Sequence, residues 1–136
     1  MNGDKAFIDT NILVYAFTKD EPEKQETAIE LLSGCHPVVS TQVLKEFSNV
    51  LIKKTNAGIP AIIETVNEII AVTEVVNEET PLLFAAFGIL EKYGFSFYDS
   101  LIVAAALKSQ CRILLSEDMQ DGQVIENTLE IFNPFR

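Results

Sequence analysis

Four carboxylate side chains stand where they could share one chemical site. Asp9 and Asp118 each follow a short apolar stretch that is typical of a buried strand, and Asp99 begins an apolar helical segment. Glu46 lies on or beside the buried stripe of another helix, where a carboxylate is costly unless it is paired or binds a metal. Oxygen-rich sites suit Mg²⁺ or Mn²⁺, and one ion or two would relieve the repulsion between the carboxylates. Such ions activate water and stabilise the charge that develops on a phosphodiester.

Each of these residues also has a purely structural explanation. Asp9 and Asp99 could cap helices, which is a common role for aspartate. Asp118 could belong to a polar turn, and Glu46 could pair with a lysine at the rim of its helix. Their combination favours a functional site, because in a parallel α/β layer all of them would lie at one end of the sheet.

The elements that would position these residues alternate along the chain. Short apolar or β-branched stretches predict strands over residues 5–9, 37–39, 72–76, 112–115 and 128–132. Helical spacing predicts helices between them, which begin near Ile12 and at Pro22, Thr41, Pro60, Thr80 and Asp99. The alternation predicts an α/β sandwich around a short, mostly parallel sheet. In such folds ligands bind beyond the carboxyl ends of the strands.

Composition limits the classes of protein to consider. The 136 residues fit one domain, and a hydrophobic share of 48% argues against disorder. No apolar run approaches the roughly 20 residues that a membrane span needs, and the N-terminus lacks the basic start of a signal peptide, so a cytoplasmic location is expected. Cys35 and Cys111 have no zinc-site spacing and are expected to be reduced thiols. His36 is the only histidine, and no nucleophile elbow accompanies it, which excludes Ser-His-Asp hydrolysis.

Four segments of the sequence carry a family likeness. Together they resemble the PIN domain family, and within it the small VapC-like toxin nucleases. Each segment contains one acid, the segments follow one another in the family's order, and they span almost the whole chain. They are residues 7–15 (FIDTNILVY), 43–47 (VLKEF), 97–106 (FYDSLIVAAA) and 113–122 (ILLSEDMQDG).

The resemblance implies a fold, an activity and a set of residues. The fold would be a single PIN-like domain over residues 1–136, an α/β/α sandwich with about five mostly parallel strands. The activity would be Mg²⁺- or Mn²⁺-dependent endonucleolytic cleavage of RNA. The resemblance also implies a homodimer and, for a toxin of a type II pair, an antitoxin partner from the same operon. The matching acidic quartet is Asp9, Glu46, Asp99 and Asp118.

Roles within this quartet follow as a hypothesis. Asp9, Asp99 and Asp118 would bind the metal directly or through water, and Glu46 would be either a further ligand or the general base. Outside the quartet, the groups expected to orient carboxylates and water are Asn11, Ser116 and Asp121.

The charge of the chain departs from that of most nucleic-acid binders. The net charge is −10 at pH 7, whereas such proteins usually present a basic face. Much of the acidic excess lies in residues 21–30 and 64–91, away from the four segments. We therefore expect a specific, structured RNA substrate or weak activity.

Two other interpretations fit part of this pattern. A phosphatase of the haloacid dehalogenase kind also has an Asp after its first strand, but it needs a second Asp two residues later, where this chain has Asn11. It also needs a late lysine, for which the chain offers no convincing candidate. A PIN-like fold that serves only as a non-catalytic binding or assembly module is the alternative that stays open.

Overall fold

The computed structural model describes residues 3–136. Within them the chain alternates short strands with longer helices, as the sequence predicts. In chain order the elements are β1 (Lys5–Ile8), α1 (Thr10–Phe17), α2 (Pro22–Ser33), β2 (His36–Ser40), α3 (Thr41–Lys54), α4 (Ile59–Val72), β3 (Glu74–Val76), α5 (Thr80–Tyr93), α6 (Phe97–Lys108), β4 (Ile113–Leu115), β5 (Val124–Ile125) and β6 (Leu129–Phe132).

The strands form one sheet in the order β3-β2-β1-β4-β6-β5. All neighbouring strands are parallel except β5, which is antiparallel to β6. This confirms the predicted α/β fold with a mostly parallel sheet. The strand that the sequence did not predict is β5, because two residues are too few to show an alternating pattern.

Helices cover both faces of the sheet. Ala6, Phe7 and Ile8 of β1 are all fully buried, and successive side chains of a strand point to opposite faces. A central parallel strand of this kind reads as a continuous apolar run, which is what the sequence shows. Leu114 and Leu115 of β4 are buried in the same way beside it. The core is therefore centred on the β1–β4 pair.

Several predicted element boundaries differ from those of the structure, and two of the differences have a clear physical reason. Val72 is the last residue of α4, and β3 begins only at Glu74, because the β-branched residues at the end of this helix have the composition of a strand. Helix α6 begins at Phe97 rather than at Asp99, because the Ser96 side chain accepts a hydrogen bond from the Asp99 backbone N–H and caps the helix. Asp99 therefore lies in the first turn, where the helix dipole favours a carboxylate.

The two cysteines are free thiols, as the sequence predicts. Cys35 and Cys111 are both free, and Cys111 is buried while Cys35 is half-buried. Burial raises the pKa of both thiols, which favours their protonated form. Within residues 3–136, no helix combines the length and the apolar character that crossing a bilayer requires.

The direction in which successive strands are added to the sheet reverses between β1 and β4, and we call this central position the switch point. From β1 the chain moves outward to β2 and β3, and from β4 it moves outward to β6 on the other side. The crevice beyond the carboxyl ends of two such strands is where open α/β sheets bind ligands. Asp9 directly follows β1 and Ser116 directly follows β4, so the candidate residues lie at this crevice.

Candidate active site

Asp9 is held in place by two hydrogen bonds at the end of β1. The Thr10 backbone N–H donates to its Oδ1 at 2.7 Å, and the Ser116 hydroxyl donates to its Oδ2 at 2.7 Å. Asp9 is only 8% exposed. Burial raises its pKa to about 6, against the lowering effect of the two hydrogen bonds, and repulsion from Asp99 and Glu46 adds to the increase. This carboxylate is thus fixed in position, and among the described residues no lysine or arginine forms a salt bridge with it.

Glu46 approaches Asp9 from α3. It is half-buried, and its Oε1 accepts a hydrogen bond of 2.7 Å from the Thr10 hydroxyl. Thr10 therefore contacts both carboxylates, one through its backbone and the other through its side chain. Across residues 3–136, no lysine or arginine forms a salt bridge with Glu46, so the surface pairing considered for it from the sequence is not seen.

Asp99 and Asp118 complete the acidic set. Burial raises the pKa of Asp99, a side-chain hydrogen bond with Ser96 opposes this, and repulsion from Asp118 and Glu46 raises it further. Asp118 is exposed, and its Oδ2 accepts a hydrogen bond of 3.0 Å from the Asn11 amide. The Oδ1 of Asn11 is buried and has no partner.

The four acidic residues line one cleft at the switch point. Its volume is about 400 Å³, and Thr10, Asn11, Tyr15 and Gln42 also line it. Lys54, near the end of α3, is the one basic residue among the described residues that line the cleft. The structure therefore brings together the side chains that the sequence singled out from four distant segments. They are Asp9, Glu46, Asp99 and Asp118.

Comparison with known families identifies the domain. The family model of the PIN domain matches residues 6–120, which is most of the chain. The chain belongs to the PIN domain family. Nuclease activity is the general function of PIN domains, and these nucleases generally use divalent metal ions.

Solved structures agree with the PIN fold. A toxin-antitoxin complex from Klebsiella pneumoniae matches at 17% identity with a TM-score of 0.72, covering 95% of this chain and 97% of that chain. VapBC2 from Rickettsia felis, bound to a DNA fragment from its promoter, matches at 20% identity with a TM-score of 0.67, covering 95% and 99%. VapC20 from Mycobacterium tuberculosis, a sarcin-ricin loop cleaving toxin, matches at 19% identity with a TM-score of 0.67, covering 80% and 86%. The search of curated proteins found no match.

The groups predicted to support the quartet divide into two kinds. Asn11 and Ser116 each donate a hydrogen bond to an acidic residue of this PIN domain's cleft. Asp121 does not line the cleft. Its Oδ1 accepts a hydrogen bond of 2.8 Å from the Asn133 backbone N–H, so it fixes the C-terminal loop instead.

Sequence reasoning missed two residues that the cleft uses. Thr10 was not among the predicted site residues, although a hydroxyl directly after Asp9 is placed to reach a second carboxylate. Gln42 is buried and lines the cleft, although it is polar and lies in the first turn of α3. A buried amide is costly without hydrogen bonds, and the sequence offers no signal that this position is buried.

The cleft of this PIN domain suits a hard divalent cation in the type of its donors. Four carboxylates line it, and the unpartnered Oδ1 of Asn11 adds another oxygen. Across residues 3–136, however, no three acidic, His or Cys side chains are arranged to hold one ion as they stand. Asp99 and Asp118 are only partly covered, so their side chains have room to rotate toward a shared ion.

Proposed function

We propose that this PIN domain is a divalent-metal-dependent endoribonuclease that hydrolyses RNA phosphodiester bonds in the acidic cleft. The observation that carries the proposal is the convergence of four carboxylates from four segments on one cleft at the switch point. Uncompensated, they repel one another, and that repulsion contributes to the raised pKa of Asp9 and of Asp99. Because this repulsion destabilises the metal-free fold, the four carboxylates are better explained as ligands of a cation than as structural residues.

The acidic residues would share the work of the site. Asp9, Asp99 and Asp118 would hold Mg²⁺ or Mn²⁺, which supplies an activated water and stabilises charge on the phosphate. Glu46 would be a further ligand or would take the proton of the attacking water. Thr10 would orient Glu46 through its hydroxyl. Ser116 and Asn11 would fix Asp9 and Asp118 in the same way.

Lys54 would guide the RNA into this acidic site. It is the one basic side chain on the cleft wall among the described residues, so a phosphate that enters the cleft would meet its charge first. Lys45 and Lys53 lie on the same helix and would extend this contact along the backbone. So few cations support a substrate that is recognised by its structure rather than by charge alone.

A cleavage assay tests the proposal. Structured RNAs of mixed sequence are incubated with Mn²⁺ or Mg²⁺, with EDTA as one control and Asp99→Asn as another. Glu91→Gln, an exposed acid on α5, serves as the matched variant that should keep activity. We expect cleavage that EDTA and Asp99→Asn both abolish. Equal cleavage by wild type and Asp99→Asn would mean that the site is misplaced.

The second candidate is a PIN fold that serves only for binding or assembly. The lack of a ready-made group of three ligands within residues 3–136 is the observation in its favour. Calorimetry separates the two proposals. No cleavage of any RNA, together with no heat of Mn²⁺ or Mg²⁺ binding, would support the non-catalytic module. Metal binding without cleavage would support a nuclease whose RNA was not in the panel.

We also infer that the protein is the toxin of a toxin-antitoxin pair and forms a homodimer. The likeness to solved toxin-antitoxin complexes supports an antitoxin partner. Exposed apolar side chains, among them Ile63 and Ile70 of α4 and Phe84 and Phe87 of α5, are surface that partners would cover. A small upstream reading frame that encodes a DNA-binding N-terminus would support the pair, and an isolated gene would oppose it. Light scattering of the purified chain would measure the oligomeric state.

A further inference from the structure

A second groove adjoins the acidic cleft. It is lined by Gln42, Lys45, Asn49, Glu78, Tyr98 and Leu101, with a volume of about 410 Å³, and we call it the lateral groove. Gln42 and Glu46 line both the cleft and the lateral groove, so the two spaces are adjacent. A chain bound across the cleft would therefore place its neighbouring group in the lateral groove.

Gln42 has an unused hydrogen-bond acceptor at this junction. The side chain is only 6% exposed, and its amide Nε2 donates to the Tyr98 backbone carbonyl at 3.4 Å. That contact fixes the orientation of the amide, because a carbonyl cannot donate. Its Oε1 is buried and has no partner, and so is Oε2 of Glu78. Buried acceptors without partners are costly, and a ligand that donates hydrogen bonds would relieve both.

Tyr98 adds an exposed aromatic surface to the same groove. It is 62% exposed although it lies in the first turn of α6, directly before Asp99. Its ring packs edge-on against Phe97, with centroids 5.1 Å apart, which supports it from behind. Nucleobases stack on exposed aromatic rings of this kind in proteins that bind single strands.

We propose that the lateral groove binds one unpaired nucleobase with an exocyclic amino group, next to the phosphate that is cleaved. This rests on the proposed function. Tyr98 would stack on the base, and the acceptors of Gln42 and Glu78 would take hydrogen bonds from its amino edge. Adenine, cytosine and guanine present such amino donors. Uracil is disfavoured, because its one donor on that edge, N3–H, is flanked by two carbonyl oxygens that would face these acceptors. The substrate class is therefore RNA with an unpaired amino-bearing base, rather than uracil, beside the scissile bond.

Binding of uncharged nucleosides tests this groove independently of RNA cleavage. Adenosine, cytidine, guanosine and uridine are titrated into the full chain in metal-free buffer, and amide shifts are followed by NMR. We expect the three amino-bearing nucleosides to shift the signals of Gln42 and Asn49 and to bind at least fivefold more tightly than uridine. Gln42→Met should remove that preference, and Tyr98→Leu should weaken all binding at least fivefold.

Matched variants control for general damage. Gln25→Met removes an amide that also donates to a backbone carbonyl, and Phe84→Leu removes an exposed ring outside the groove. Both should bind nucleosides as the wild type does. Equal binding of uridine, a preference that survives Gln42→Met, or no binding in the groove would overturn the proposal. If nucleosides bind as expected but the chain neither binds Mn²⁺ or Mg²⁺ nor cleaves RNA, the proposed nuclease fails and the groove stands. Cleavage without nucleoside binding would support the nuclease and overturn the groove.

Discussion

At the residue scale, the burial of Asp9 lowers the stability of the metal-free protein while it holds a carboxylate in the proposed site. Its pKa is raised from 3.8 to about 6, so ionisation disfavours the folded state. This loss of stability is absent at pH values below the pKa of the unfolded state, grows as the pH rises between the two pKa values, and is complete above the pKa of the folded state. The difference corresponds to about 3 kcal/mol at neutral pH. The metal-free protein should therefore lose stability as the pH rises through this window.

Replacing Asp9 should separate the two effects. In EDTA at pH 8, we expect Asp9→Asn to raise the free energy of unfolding by about 1–3 kcal/mol, because the amide is neutral in the same place. At pH 5 the gain should fall by about half, as Asp9 itself becomes protonated. Urea unfolding at both pH values measures this, with Glu91→Gln as the control. The same Asp9→Asn variant should lose RNA cleavage. A variant less stable than wild type at pH 8 would contradict the argument.

Thr10 offers a test of hydroxyl positioning. Thr10→Val keeps the shape of the side chain and removes the hydrogen bond to Glu46. Loss of such an orienting bond typically costs about 10- to 100-fold in activity, so we expect that decrease in kcat with an unchanged circular dichroism spectrum. Thr10→Ser keeps the hydroxyl and should restore most of the rate. Equal rates for the Val and Ser variants would show that the hydroxyl has no role.

At the element scale, a network of side chains ties the loop after β4 to the first two helices. The Lys24 ammonium of α2 lies 2.6 Å from Oε2 of Glu117, and the Tyr15 hydroxyl of α1 donates to Oε1 at 2.6 Å. Lys24 also lies over the rings of Tyr15 and Phe135, 4.8 and 5.3 Å from their centroids. Glu117 directly precedes Asp118, so this network controls where that exposed carboxylate stands.

Removing the lysine should loosen this loop. We expect Lys24→Met to lower the Mn²⁺ affinity about tenfold, because Asp118 would be less well oriented, while the maximal rate at saturating metal changes little. Mn²⁺ titration followed by electron paramagnetic resonance measures the affinity directly. Lys19→Met, at an exposed position just before α2, is the control. Unchanged metal affinity would assign the network to stability alone.

The elements also show what sequence could and could not predict. Apolar runs and helix caps were sufficient for the parallel strands and for where the quartet would meet. The start of α6 was missed because Ser96 and Asp99 are both good caps, and only the backbone geometry distinguishes them. The burial of Gln42 was not predicted, because it depends on a tertiary contact between its side chain on α3 and the Tyr98 carbonyl of α6. Long-range contacts of this kind leave no local pattern.

At the scale of the whole molecule, the net charge of −10 should shape how RNA binding responds to salt. A protein that neutralises many phosphates loses affinity steeply as salt increases. Here Lys45, Lys53 and Lys54 are the cations on the helix beside the cleft, and three contacts to single-stranded RNA predict at most about a 20-fold loss between 50 and 200 mM salt. Screening of repulsion from the acidic surface should reduce it further.

Measuring kcat/KM across that salt range at fixed Mg²⁺ tests this prediction. A decrease of a thousandfold or more would point to a basic surface that these contacts do not include. The variant Lys54→Met should flatten the salt dependence, because it removes one phosphate contact. Lys108→Met, on the far end of α6, should leave the slope as it is.

The pairing of β1 with β4 has a consequence for synthesis. Asp9 depends on Ser116, and Asn11 holds Asp118, so the first site residues wait for partners 107 positions later. A nascent chain that ends before β4 has neither the neighbouring central strand nor the last acid. Any ability of the cleft to cut RNA therefore begins only after β4 and Asp118 have been synthesised and have folded against β1.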